Sequence, residues 1–392
     1  MASIDTSVNR PNVPEDGTTV TAEIDVAPGA QQQDVRRHIA LCIDTSGSME
    51  GDNIKRARDG AAWVFGLLSD DDYVSIVAFD TKAEVILPAT RWSDLDRQTA
   101  MDHVEELTAG GGTDMYNGLK AAKETLSSSA TGSNTVNRLL LLSDGKDNER
   151  TPDEFEDLAE EIDDAGVRIQ SAGIGTDYNE DTIRTLGTIG RGTWTHLDAP
   201  GDIEDFFGEA VEQAGSVVAP DAHLDLDVAP GVEVSEVYRA LPQAQEVTPE
   251  WEANATRIKL PDLIERENQR VVLKIHAPPR EAGTEEVLAD VTLSARGDSA
   301  SEQISVSYTD DNEELAEHNE SVDIDHKQTV IRTELGKGNV EAAETKVEQM
   351  TVVHGDDAEA VEEAERQTQI VKEGGRAEQS QATQIVDNDG LQ

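Results

Sequence analysis

Between residues 35 and 216, short apolar runs alternate with longer stretches whose apolar residues recur every three or four positions. The runs at 38–43, 73–79 and 138–142 carry apolar residues at consecutive positions, Leu139, Leu140, Leu141 and Leu142 standing in succession, and a further strand is read at 167–172. A strand needs that composition only when both of its faces are buried, as in a parallel sheet covered by helices. The stretches between them are spaced as helices: Ile54, Ala57, Ala61, Val64, Phe65 and Leu68 fall on one side of a helix over 51–68. Further helices are expected over 93–107, with Ser93 as N-cap, and over 114–126, 151–165, 180–189 and 202–214, Thr151 and Pro152 opening the third of these. The pattern predicts an α/β domain, doubly wound about a mostly parallel sheet, with 83–87 returning as an edge hairpin. Cys42, Trp63 and Phe65 are expected in its core.

On either side the texture changes. Residues 1–17, with Pro11, Pro14 and few apolar side chains, are expected to be disordered. In 18–34, Val20, Ala22, Ile24 and Val26 alternate with polar residues, the period of a half-buried strand. That strand is expected to join the module at 217–310, whose strand-like stretches are separated by Pro and Gly turns with no helical pattern between them; the α/β domain, 35–216, would then be an insertion. The module reads as all-β and sandwich-like. Helical spacing returns over 311–375, broken at Gly336-Lys337-Gly338-Asn339 and at Gly355, which predicts a helical hairpin or small bundle. Residues 376–392 read as a flexible acidic tail.

Charge narrows the function. Asp plus Glu number 81 against 32 Lys plus Arg, a formal charge of −49. Nucleic acids and anionic membranes need a basic surface, so neither is a partner without help. The acid is spread along the whole chain, as suits a protein working in concentrated salt, where charges are screened at short range and self-repulsion is tolerable. A halophilic, archaeal setting is the expectation. One cysteine, Cys42, permits no internal disulfide, the polar N-terminus lacks a secretory pattern, and no apolar run is long enough to span a membrane. The expected location is the cytoplasm.

Three strand-end segments carry oxygen ligands. Asp44-Thr45-Ser46-Gly47-Ser48 follows the first buried strand and places one carboxylate and two hydroxyls at alternate positions. Gly110-Gly111-Gly112-Thr113-Asp114 is a glycine-rich turn opening a helix, with a hydroxyl able to reach the same rim. Ser143-Asp144-Gly145 follows the leucine strand with a second carboxylate. Hard oxygens of this kind suit Mg²⁺, and the carboxyl ends of the strands are where open α/β sheets bind ligands. The competing roles are structural: Asp44 and Ser46 capping the helix that starts near Gly51, Ser143 and Asp144 ending a strand in a turn.

On these three motifs the chain resembles the von Willebrand factor type A family and its metal-ion-dependent adhesion site, over about 35–216. The style of the motifs is similar to that of the microbial and intracellular branch. The resemblance implies a metal held through the hydroxyls of Ser46, Ser48 and Thr113, with Asp44 and Asp144 ligating directly or through water. It implies Mg²⁺, or another divalent cation such as Mn²⁺ or Ca²⁺, left with an open position that takes an Asp or Glu from a partner protein. The expected function is a non-catalytic interaction module.

Two alternatives share the metal. One is a metal-dependent phosphoesterase; yet position 46 is Ser where a second catalytic Asp would stand, and no G-x-x-x-x-G-K-[ST] cradle appears. The other is an accessory subunit of an ATP-driven metal chelatase, which would require an ATPase partner. Lys146 reads as a solvated loop lysine, and the scattered histidines do not suggest zinc. Finally, Thr368-Gln369-Ile370-Val371, on the last helix, recurs as Thr383-Gln384-Ile385-Val386 in the tail, and Thr383, once phosphorylated, is a candidate for a phosphothreonine-binding domain, with Thr368 as its near-duplicate.

Overall fold

The computed structural model describes residues 2–30, 35–128, 135–147, 150–175, 178–197, 199, 201–355, 358–374, 378 and 382. They form two compact units, Gln31–Pro220 and a second made of Met1–Ala30 with Asp221–Gln392.

The chain opens with β1 (Ser3–Val8), β2 (Asn12–Val13) and β3 (Thr18–Ala27). Residues 2–17 are therefore not disordered as the composition suggested for 1–17. β1 pairs antiparallel with β3 from Ser3↔Ala27 to Val8↔Ala22, and Ile4 is buried. An edge strand draws its order from backbone bonds to a neighbour, which a low apolar content does not report.

The α/β unit then runs β4 (Arg36–Asp44), α1 (Asp52–Leu67), β5 (Tyr73–Phe79), β6 (Ala83–Arg91), α2 (Arg97–Glu105), α3 (Met115–Ser128), β7 (Thr135–Ser143), α4 (Pro152–Asp164), β8 (Val167–Ile174), α5 (Glu180–Ile189), β9 (Trp194–Leu197), α6 (Asp202–Gly215) and β10 (Val217–Ala219). Its six-stranded sheet has the order β6-β5-β4-β7-β8-β9. All pairs are parallel except the antiparallel edge β5·β6. Side chains of β4 and β7 alternate between faces: Ala40, Cys42, Leu139 and Leu141 pack with Met115, Leu119, Phe155, Leu158, Ile183 and Leu186 of α3, α4 and α5. Ile39, Leu41, Ile43, Leu140 and Leu142 are equally buried on the other side. Burial on both faces is why the runs are uniformly apolar.

Two local expectations fail here. The helix predicted from Ser93 starts at Arg97, capped by Asp96 accepting from the Thr99 N–H at 3.1 Å, because Trp92 turns in to stack on Phe65 with ring centroids 5.2 Å apart. Trp63 is not in the core: it is 55% exposed, one side of α1 being left to solvent while Phe65 is buried.

The other unit continues with β11 (His223–Val228), β12 (Glu233–Leu241), β13 (Gln245–Glu246), β14 (Trp251–Glu252), β15 (Ala255–Lys259), β16 (Leu263–Ile264), β17 (Gln269–Ala277), β18 (Glu285–Ala295) and β19 (Asp298–Tyr308). β3 pairs antiparallel with β17 over nine residues, Val26↔Gln269 to Thr18↔Ala277. Five strands take the order β1-β3-β17-β12-β13 and six the order β14-β15-β11-β18-β19-β2. Helices α7 (Asn312–Leu315), α8 (Glu320–Gly336), α9 (Val340–His354) and α10 (Glu359–Glu373) follow. Ile331, Leu335, Ala343, Val347, Met350, Val361, Ala364 and Val371 form the core of the last three. Thr368 faces that core: it is buried, and its hydroxyl donates to the Ala364 carbonyl at 2.7 Å. It is thus closed to phosphorylation in the folded bundle, as its helical spacing with Val361, Ala364 and Val371 requires. Thr383 and nearly all of the tail lie outside the described residues.

Candidate metal centre

Strands β4 and β7 are parallel neighbours in register to Ile43↔Leu142, so Asp44 and Ser143 end side by side. The strand order reverses between them, β5 lying on one side and β8 on the other. A crevice forms at such a switch because the two chains leave the sheet in opposite directions.

The loop after β4 folds back on its first residue. The Ser46 N–H donates to Asp44 Oδ1 at 2.8 Å, the local turn that a short carboxylate makes. Ser143 Oγ donates to Asp44 Oδ2 at 2.5 Å. Ser46 Oγ and Ser48 Oγ are 3.0 Å apart, and Ser48 Oγ donates to Asp144 Oδ1 at 2.7 Å. A continuous chain of polar groups therefore links both carboxylates through the two serines.

The glycine-rich loop is stitched to the same place by its backbone. Gly110 N–H donates to the Thr45 carbonyl at 2.8 Å and Gly47 N–H to the Gly111 carbonyl at 3.2 Å. Gly111 has φ +83°, and a Cβ there would lie 2.8 Å from Thr81 Oγ1, so only glycine fits. Thr113 converges on the carboxylates: a Cβ on Gly145 would lie 2.8 Å from Thr113 Oγ1 and 3.3 Å from Asp44 Oδ2. All five residues singled out in the sequence, Asp44, Ser46, Ser48, Thr113 and Asp144, meet at one rim.

Burial pushes the Asp44 carboxyl up to about 6, against the bonds from Ser143 and Ser46, and the nearby Asp144 adds to the rise. Among the described residues neither Asp44 nor Asp144 forms an ion pair. Two adjacent carboxylates, one fully buried, thus have hydroxyl and amide donors but no cationic side chain. Among the described residues no three His, Cys, Asp or Glu are grouped to hold a metal, because three of the five donors here are hydroxyls. Such a donor set suits a hard divalent ion and leaves much of its charge unneutralised. Cys42, two residues before Asp44, is buried and its thiol is pushed up by burial, so it is a core residue.

The capping role is not what these residues do: the N-cap of α1 is Gly51, with no side-chain cap. Two contributors were missed in the sequence. The sequence motif carries Ser143 without marking its bond to Asp44, and it does not carry Asn53, whose Nδ2 donates to Asp144 Oδ2 at 3.0 Å. Asn53 sits half-buried in the first turn of α1, and a single polar residue there carries no periodic signal.

The family model described as von Willebrand factor type A domain matches residues 38–209. A curated relative, sll0103 of Synechocystis, is 25% identical over 64% of this chain, which spans 60% of that protein's length. Among solved structures, a von Willebrand factor type A protein of Catenulispora acidiphila superposes with a TM-score of 0.77 at 19% identity, covering 94% of this chain and 89% of that one. The ArnB paralog VWA2 of Sulfolobus acidocaldarius gives 0.66 at 18% identity, with 97% of each chain covered. These two likenesses extend through both units and bear on fold.

Proposed function

Because residues 38–209 form a von Willebrand factor type A domain, we propose that the α/β unit is a metal-dependent protein-interaction module. Ser46, Ser48 and Thr113 would hold a divalent ion through hydroxyl oxygens, with Asp44 and Asp144 as direct or water-bridged carboxylates. The ion is Mg²⁺ in this reading, Mn²⁺ or Ca²⁺ being the other hard cations that fit. When bound, it supplies a Lewis-acidic position open to a partner's Asp or Glu. The chain's own residues orient the donors: Ser143 and the Ser46 N–H fix Asp44, and Ser48 and Asn53 fix Asp144. The role is to bind, not to catalyse.

One observation carries the reading. Three hydroxyl oxygens from two loops converge on two carboxylates, Asp44 and Asp144, that no cationic side chain neutralises among the described residues. A chain of charge −49 repels acidic partners at long range. A bound divalent cation offsets the two carboxylates of the site and, held otherwise by neutral hydroxyls, gives an acidic side chain a local Lewis-acidic position to bind. The dispersed acid supports a setting of concentrated salt, and a halophilic archaeal cytoplasm belongs to the same proposal.

Affinity capture from native cells at high salt, with and without EDTA, tests it. Partners are expected to be retained by the wild type with Mg²⁺ and lost both with EDTA and with Asp44→Ala, while circular dichroism of that variant stays native. Partners that survive EDTA and the substitution alike would sink the mechanism.

A further inference from the structure

Helix α8 turns a polar stripe toward part of the β-rich unit. Ser321, Asp325, Gln328 and Arg332 recur every three or four residues, so they share one side of the helix. All four line a cavity of about 550 Å³ whose other walls include Asp5, Asp25 and Arg270, with Ile4, Val26 and Leu241 as its apolar part. That volume is within the range of small-molecule sites, while the lining is more polar and charged than theirs usually is, which favours a charged occupant.

The charges in the wall are unevenly satisfied. Arg270 is fully engaged: Nε donates to Asp25 Oδ1 at 2.7 Å and lies 2.9 Å from Glu23 Oε1, Nη2 donates to Asp25 Oδ2 at 3.2 Å, and Nη1 donates to Asp325. One guanidinium thus serves three carboxyl groups, which leaves this end of the cavity negative. Burial, aided by Asp25 and Asp325, holds the Glu23 carboxyl above the usual carboxylate range, and Glu23 Oε2 is buried without a hydrogen-bond partner among the described residues, so the negative charge facing the cavity is that of Asp25 and Asp325.

Arg332 is the opposite case. Its Nε donates to Gln367 Oε1 at 3.3 Å, but among the described residues its Nη1 and Nη2 have no acceptor and it forms no ion pair. Burial pulls its guanidinium below the usual arginine range. Asp5 likewise has no side-chain partner among the described residues. The cavity therefore offers a guanidinium whose Nη1 and Nη2 have no acceptor among the described residues, with the charges of Glu363 and Asp325 near it but not bonded to it, and, from Asp325 onward, a carboxylate-rich end. A simple anion would meet the carboxylates, and a simple cation would leave Arg332 unmatched and repelled. A molecule bearing both charges satisfies both ends, since a guanidinium takes a carboxylate in a two-pronged pair and an ammonium has three donors to spend on carboxylates.

We propose that this cavity binds a small zwitterion of the α-amino-acid type, its carboxylate on Arg332 and its ammonium at the Asp25–Asp325 end. Isothermal titration of the full chain with glycine, L-alanine, L-glutamate and L-lysine tests it. At least one of them is expected to bind with a Kd of about 1 mM or tighter. For the best binder, the methyl ester, which lacks the carboxylate charge, and the N-acetyl derivative, which lacks the ammonium, are both expected to lose binding. Arg332→Ala should weaken it by about 30-fold or more, since a desolvated charge pair is broken, and Arg332→Lys should restore part of the loss. No binding by any of the four overturns the proposal. So does equal binding of sulfate, the ester or the N-acetyl derivative, or unchanged affinity in Arg332→Ala. The comparison of blocked and free ligands uses wild-type protein, so it decides even if the variants do not fold.

Discussion

Ser143 and Asp44 close the ends of two adjacent parallel strands, and the Ser143 hydroxyl donates to Asp44 Oδ2 at 2.5 Å. The acceptor is a buried carboxylate, so the bond is charge-assisted and sheltered from water. Ser143→Ala is expected to destabilise the metal-free chain by about 1.5–3 kcal/mol and to lower Mg²⁺ affinity by about 10–100-fold. Urea unfolding in EDTA and titration calorimetry with Mg²⁺ measure the two effects. A variant equal to wild type in both would show that the bond orients nothing.

Gly145 is, with Gly111, one of two tight points of the candidate centre. A methyl group there falls 2.8 Å from Thr113 Oγ1, closer than unstrained contacts allow. Gly145→Ala should push Thr113 away from Asp44 and cut Mg²⁺ affinity by about tenfold or more, with the fold retained. Mn²⁺ electron paramagnetic resonance titration, read beside circular dichroism, separates lost donors from lost fold. Full affinity in this variant would remove Thr113 from the donor set.

The charge of −49 makes stability a function of salt. Raising KCl toward about 1 M shortens the screening length to about 3 Å and relieves the repulsion among surface carboxylates. The melting temperature is expected to climb across that range, measured by scanning calorimetry. A flat profile would count against the reading of a high-salt setting.

Glu236 gives the β-rich unit an acid-side dependence. Its Oε2 lies 3.0 Å from His326 Nε2, and Lys274 Nζ donates to Oε1 at 3.1 Å. The His326 bond, with the bond and charge of Lys274, holds the carboxyl down at about 2 against an ordinary 4.5. Because the folded value is the lower one, this contribution to stability is present above about 4.5 and is lost as pH falls through about 2. Urea unfolding between those limits should show a shallower acid decline for Glu236→Gln than for wild type. Parallel curves would mean the pair contributes nothing.

The three oxygen-bearing motifs and the doubly wound sheet were legible because each rests on local order. Uninterrupted apolar runs report a strand buried on both faces, and Asp44-Thr45-Ser46-Gly47-Ser48 spaces its ligands within one turn. What the chain alone did not show depends on partners distant in sequence. Residues 3–8 are ordered by β3, whose backbone supplies bonds that no side-chain pattern encodes. Trp63 and Phe65 share a helix, yet Trp92 covers one while the other stays exposed. Asn53 reaches Asp144 across 91 positions. The sequence by itself determined which residues are apolar, which bear oxygens and where the chain must turn. Tertiary structure alone decided which of those oxygens share one rim and which charges are left without a counterpart, because proximity in space and removal from water arise only when separate elements pack together.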